Sequence, residues 1–181
     1  KKPMAINILH LCNKVPFPSR DGSTIAMESL IRLEASTGAQ VKIIALNTDK
    51  HPVDDPQVPE SLQSSVSMSV VDVKIKPNPL SALRSLNSKK SYFATRFHNE
   101  EVETLILKEL KKGQIDLVVL DSLFMAVYLP AFNGEKVVLR AHNIESQIWE
   151  RQLPVMKSGL KQSYMRSQTA KLKKWELNVF R

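Results

Sequence analysis

Apolar residues recur along this chain in two rhythms. The runs "AINILHLC" (5–12), "AQVKIIALNT" (39–48) and "IDLVVLD" (115–121) are short, nearly continuous and rich in Ile, Val and Leu, as buried strands are. "SVSMSVVDVKI" (65–75) alternates apolar with polar residues, which predicts a third strand near an edge of the sheet. "EKVVLRAH" (135–142) predicts a fifth strand. Between these runs the apolar spacing lengthens to three and four. Ala26, Met27, Leu30, Ile31 and Leu33 predict a helix over 23–37, with Gly38 where a helix end favours a left-handed residue. "NEEVETLILKELKK" (99–112) predicts another, closed by Gly113. "SLFMAVYLPAF" (122–132) predicts a short helix ending near Pro130, and Asn143 is expected to cap a further helix with Glu145 in its first turn. The three prolines of "HPVDDPQVPESLQSS" (51–65) predict a loop, and "KPNPLSALRSLNSKKSYFATR" (76–96) a short helix and a mixed linker.

Strands alternating with helices predict an α/β domain over residues 1–181, a Rossmann-like open and mostly parallel sheet with helices on both faces. Such sheets bind ligands beyond the C-terminal ends of their strands. Three stretches therefore carry the candidate chemistry: the loop Asn13 to Ser23, the strand end Asp121-Ser122, and the strand end His142-Asn143.

Composition narrows the function classes. With 181 residues and 43% hydrophobic content the chain suits one buried core. Cys12 is the single cysteine, which rules out an intrachain disulfide and points to a reducing, cytoplasmic setting. No apolar run approaches the roughly 18–20 residues of a spanning helix, and Lys1-Lys2 leads into no signal-peptide core. The net charge of +8 sits mainly in residues 157–181, where seven Lys/Arg face Glu176 alone. In that tail Leu160, Tyr164, Leu172, Trp175 and Val179 share a helical face, so it either packs on the domain or lies on an anionic membrane surface. The basic residues are not interleaved with exposed aromatics on a known module, so nucleic acid is not an expected partner. A start without Met and a finish inside an amphipathic stretch lead us to expect a fragment of a longer protein.

Several familiar chemistries lack their signatures. There is no G-x-G-x-x-G, no P-loop, no G-x-S-x-G, no H-E-x-x-H and no paired Cys/His spacing, so no nicotinamide cofactor and no metal is expected. Gly22 before a helix start, with Arg20 nearby, is open to two readings: a phosphate contact or an ordinary tight turn. Asp121 either caps the next helix or faces a ligand. His142 has no evident capping duty and can bind a sugar hydroxyl or shift a proton. His10, His51 and His98 are assigned no role, His10 as a core or edge histidine of the first strand.

Taken in order, "VPFPSRDGST", "IDLVVLDSLFMAVYL", "VVLRAHNIESQIWERQ" and a helix ending "KLKKWE" resemble the N-terminal half of family 4 glycosyltransferases, the retaining "group 1" enzymes of GT-B fold. The resemblance covers most of the chain, although residues 48–97 match nothing in it. It implies the acceptor-side domain of an enzyme that transfers a sugar from a nucleotide-sugar with retention, in surface polysaccharide or glycolipid synthesis. It implies no cofactor, a sugar or lipid-linked acceptor, a C-terminal domain holding the donor, and peripheral visits to the inner membrane through residues 157–181. The family's loop maps onto Pro16, Phe17, Pro18, Asp21 and Gly22, where many members have two adjacent glycines and this chain has Gly22-Ser23. Its sugar-contacting histidine maps onto His142, and its polar strand end onto Asp121. His142 and Asp121 are thus the catalytic candidates, and Pro18, Arg20, Asp21, Gly22, Ser23 and Asn143 the substrate- or phosphate-binding ones. The alternative is a non-catalytic Rossmann-like module docking through its basic tail on an anionic partner.

Overall fold

A computed structural model describes residues 5–181; Lys1-Lys2, considered above, lie outside them. Strands β1 (Asn7–Cys12), β2 (Gln40–Thr48), β3 (Val66–Val73), β4 (Leu117–Asp121) and β5 (Val137–Leu139) form one all-parallel open sheet in the order β3-β2-β1-β4-β5. The helices are α1 (Gly22–Ser36), α2 (Pro79–Arg84), α3 (Tyr92–Thr95), α4 (Glu100–Leu110), α5 (Glu145–Gln152) and α6 (Leu160–Val179). The expected α/β class with a parallel, Rossmann-like sheet is what the chain adopts, and the alternating run 65–75 holds an edge strand.

Side chains alternate across each strand and so feed two cores. Leu9, Leu11, Val118 and Leu120 meet Val102 and Ile106 of α4 and Leu172 of α6 on one face. Ile8, Cys12 and Val119 meet Met27 and Ile31 of α1 on the other. Burying a residue such as Ile31 or Ile106 contributes about 1.5–3 kcal/mol, so each face holds its helices by many comparable increments.

Four expectations are corrected. The fifth strand stops at Leu139, three residues short of His142, because it pairs only with β4 and Val138 is already half exposed. The stretch Leu123–Ala131 is a 3-10 helix with Pro130 inside it, and Ser122 is its cap, not Asp121: the Ser122 hydroxyl accepts the Phe124 N–H at 3.2 Å. Asn143 does not cap α5. Ile144 occupies that position without a side-chain bond, and the carboxylate of Glu176 on α6 accepts the N–H groups of Glu145 (2.7 Å) and Ser146 (3.1 Å). Residues 76–96 form two short helices, α2 and α3, separated by the 3-10 turn Ser85–Asn87.

The basic tail packs on the domain. Leu172 is fully buried, and Tyr164, Trp175 and Val179 are partly so, while Leu160 stays exposed. Gln168 of α6, wholly buried, accepts the Tyr92 N–H at 2.8 Å, donates to Ser85 Oγ at 3.0 Å, and its carbonyl receives the Ser91 hydroxyl at 3.1 Å. The last helix therefore clamps the segment 85–92 onto the sheet. No helix among the described residues is long and apolar enough to cross a membrane.

Candidate active site at the carboxyl edge of the sheet

The connections from β1 run outward to β2 and β3, whereas β4 leads to β5 on the other side, so the order in which the parallel strands are laid down reverses between β1 and β4. That switch point opens a crevice beyond the strand ends, where open α/β sheets hold ligands. The register pairs Cys12 with Asp121 across the switch.

Asp121 closes β4 and is completely buried, on the face that α1 covers. Arg140 Nη1 lies 3.0 Å from its Oδ1 and 3.2 Å from its Oδ2. His142 Nε2 donates to Oδ1 at 3.1 Å. His10 Nδ1 stands 3.6 Å from Oδ2, while its Nε2 meets the Glu34 carboxylate of α1 at 2.6 Å. Burial pulls the His10 imidazole down, but hydrogen bonding to Asp121, Cys12 and Glu34 outweighs it and holds the ring well above its ordinary value. Burial also pushes the Cys12 thiol up. Two carboxylates, an imidazolium and a guanidinium thus balance charge in this cluster, and Arg140 and His142 are its most exposed members, at 25% and 21% of their side chains. With the Nε2 proton directed at Asp121, Nδ1 takes part in no hydrogen bond among the described residues and is left for a ligand. Next in the chain, Ser122 holds φ 154°, a backbone conformation that costs a non-glycine residue of order 1–3 kcal/mol and clusters at functional sites.

His10, Cys12 and Asp121 bring ligand-type atoms within 4.8 Å of one another. A metal fits poorly there. The Asp121 carboxylate is already held by Arg140 and His142, and a guanidinium at 3.0 Å opposes a dication.

The loop after β1 is built from a buried half and an exposed half. Val15 and Phe17 anchor it in the core, the Phe17–Pro18 bond is cis, and Pro18 and Arg20 stand out to solvent. Asp21 then caps α1 in a capping box, its Oδ1 accepting the Thr24 N–H at 3.0 Å while Thr24 Oγ1 accepts the Asp21 N–H at 3.0 Å. Lys14 Nζ donates to Asp21 Oδ2 at 2.6 Å and to Ser23 Oγ at 3.1 Å, and its ammonium holds the Asp21 carboxyl far below the usual range. A phosphate at this helix start would share it with Asp21, with Lys14 and Arg20 supplying charge. Nothing crowds Gly22, and a Cβ there would meet no atom within 4 Å.

Two cavities open along this edge. One of about 320 Å³ is lined by Lys14, Pro18, Arg20, Asp21, His51 and Val53. The other, of about 280 Å³, includes Asn13, Lys14, Lys50, Arg96, Glu145 and Trp149 in its walls. Lys14 and His51 line both. Burial, then repulsion from Lys14 and Lys50, lowers the His51 imidazole, so it is neutral at pH 7. Burial, then the Glu176 charge, raises the Glu145 carboxyl against the Asn143 hydrogen bond that lowers it. Asp121 and His142 line neither cavity.

The structure therefore joins Asp121 to His142, gathers Pro18, Arg20 and Asp21 on one cavity wall, and sets Asn143 beside Glu145. Sequence reasoning missed His10, Lys14 and Arg140. His10 shares a strand face with Cys12, but its partner Asp121 lies on a distant strand, and Arg140 and His142 lie beyond the end of β5, so no strand spacing marks them. No known family model matches the chain, and no curated protein matches it significantly.

Proposed function

We propose that this chain is the acceptor-side domain of a retaining, nucleotide-sugar-dependent glycosyltransferase acting in surface polysaccharide or glycolipid synthesis. The observation that carries the proposal is His142, hydrogen-bonded to Asp121, itself paired with Arg140, at the carboxyl edge of a parallel sheet with one ring nitrogen left for a ligand. In this reading His142 accepts or donates a hydrogen bond at a hydroxyl of the transferred sugar, and Asp121 positions it. Lys14, Arg20 and the start of α1 face the charge that develops on the departing diphosphate. The acceptor enters the edge cavities, and a second Rossmann-like unit holds the donor nucleotide. Contact of α6 with an anionic membrane would combine its exposed lysines and arginines with the exposed Leu160, Leu177 and Phe180.

The test is to incubate the full-length protein with a panel of nucleotide-sugars and membrane extract and follow sugar incorporation. Transfer from one donor is the expected result, with residues 1–181 alone transferring none. Tight binding of a nucleotide-sugar to residues 1–181 alone would contradict the division of labour. A second reading, a non-catalytic module docking on an anionic partner, is favoured by Lys161, Arg166, Lys173 and Lys174, which stay exposed on α6. It would be preferred if every donor failed.

A further inference from the structure

Beyond the end of β3 lies a groove of about 600 Å³ that shares only Arg96 with the edge cavities described above. Its walls carry Lys74, Lys76, Arg84, Lys90 and Arg96, together with Asp49 as the single carboxylate. Asp49 is engaged elsewhere: its oxygens accept the backbone N–H groups of Ile75 (2.9 Å) and Lys76 (3.2 and 3.3 Å). Among the described residues none of the five cations forms an ion pair, whereas Lys14, Arg32, Lys42, Lys112, Arg140 and Lys173 each do. Five like charges converging on a concave surface raise each other's cost, and an anion is what relieves it.

Arg96 makes the stronger case, because it is not a surface cation. Its guanidinium lies 5.4 Å from the Phe97 ring centroid and 6.0 Å from that of Phe93, and burial lowers its pKa. Nη1 reaches only the Ile75 carbonyl, at 3.4 Å, and the buried Nε has no hydrogen-bond partner. Arg96 is part-buried, and Asp49 and Glu145 act on it only from beyond ion-pair distance; a guanidinium so placed is ordinarily satisfied by a direct carboxylate or phosphate partner. The hydroxyl-bearing residues Ser81 and Ser88 and the amide-bearing Asn78 also line the groove, and these are neutral donors that suit oxygen ligands.

We infer that the groove between the end of β3 and helices α2 and α3 is a binding site for a phosphate group, with Arg96 at its base and Lys74, Lys76, Arg84 and Lys90 around it. Leu80, Leu83 and Leu86 stand exposed on the adjoining segment, so the phosphate can belong to a lipid headgroup as well as to a free ester. The inference does not depend on the glycosyltransferase proposal, and either can fail alone.

The experiment titrates the protein with inorganic phosphate, and separately with vesicles of phosphatidic acid in phosphatidylcholine or of phosphatidylcholine alone, following the amide resonances of residues 74–96. Saturable shifts with phosphate, or binding to the acidic vesicles but not the neutral ones, support the site. The first outcome assigns a free ester and the second a lipid headgroup. Lys74→Gln/Lys90→Gln changes only exposed side chains and should weaken either interaction at least tenfold; Arg96→Gln should abolish it. No response to phosphate or acidic vesicles, or binding undiminished in the Lys74→Gln/Lys90→Gln protein, overturns the inference.

Discussion

Asp121 is held by Arg140 and His142 with His10 close by, and it has no access to water, so its carboxylate is the counter-charge on which the cluster depends. Removing one partner from a buried ionic cluster leaves the others uncompensated, at a cost of about 3–5 kcal/mol. Asp121→Asn should lower the urea midpoint accordingly, and a change below 1 kcal/mol would show that the cluster is not cohesive. His10 adds a pH dependence of defined sign. Its folded pKa is raised, so its contribution is fully present below the unfolded value of about 6.5 and is lost as pH rises through the higher folded value. Between pH 6 and pH 10 the stability difference between the native chain and His10→Gln should therefore shrink, and a difference that grows with pH would contradict the account. The apolar runs ahead of Asp121 and His142 made both visible in the sequence. His10 was passed over because its importance comes from a pairing of β1 with β4, more than 100 residues apart, which no local pattern encodes.

Helix α5 shows how an element can be legible while its cap is not. The polar, helix-forming run after His142 predicts it, and Asn143 looks like its N-cap, yet a buried carboxylate from α6 takes that role across the fold. A carboxylate at a helix start also meets the positive end of the helix dipole. Glu176→Gln should cost about 1–2 kcal/mol and, by removing the second-largest influence that raises it, bring the Glu145 carboxyl down toward its ordinary value. Both are measurable, the first by denaturant unfolding and the second by carboxyl chemical shifts across a pH titration. An unmoved Glu145 would mean that burial alone sets it. The tail resolves in the same way. Its apolar stripe predicted a helix but left two surfaces open to it, and Gln168, an unremarkable polar residue in the sequence, joins Tyr164 and Lys171 in fixing α6 to residues 85–92.

At the scale of the molecule, alternating strand and helix patterns predicted the parallel sheet and its two covered faces, because burial on both sides demands continuous apolar strands. Strand order was beyond that pattern, and with it the reversal between β1 and β4 that sets His142, the Pro18 loop and the edge cavities on one side. Residues 48–97 were the least legible, since their short helices draw stability from α6 and their cations take meaning only as walls of one groove. That this edge acts on a sugar is the proposal on which the functional reading rests. It is tested most directly by measuring sugar transfer by the full-length protein before and after His142→Ala, with the fold checked by circular dichroism. The account predicts a folded protein whose kcat falls roughly 100-fold or more, as when a positioned transition-state contact is removed. Unchanged kcat in a folded His142→Ala protein would contradict it.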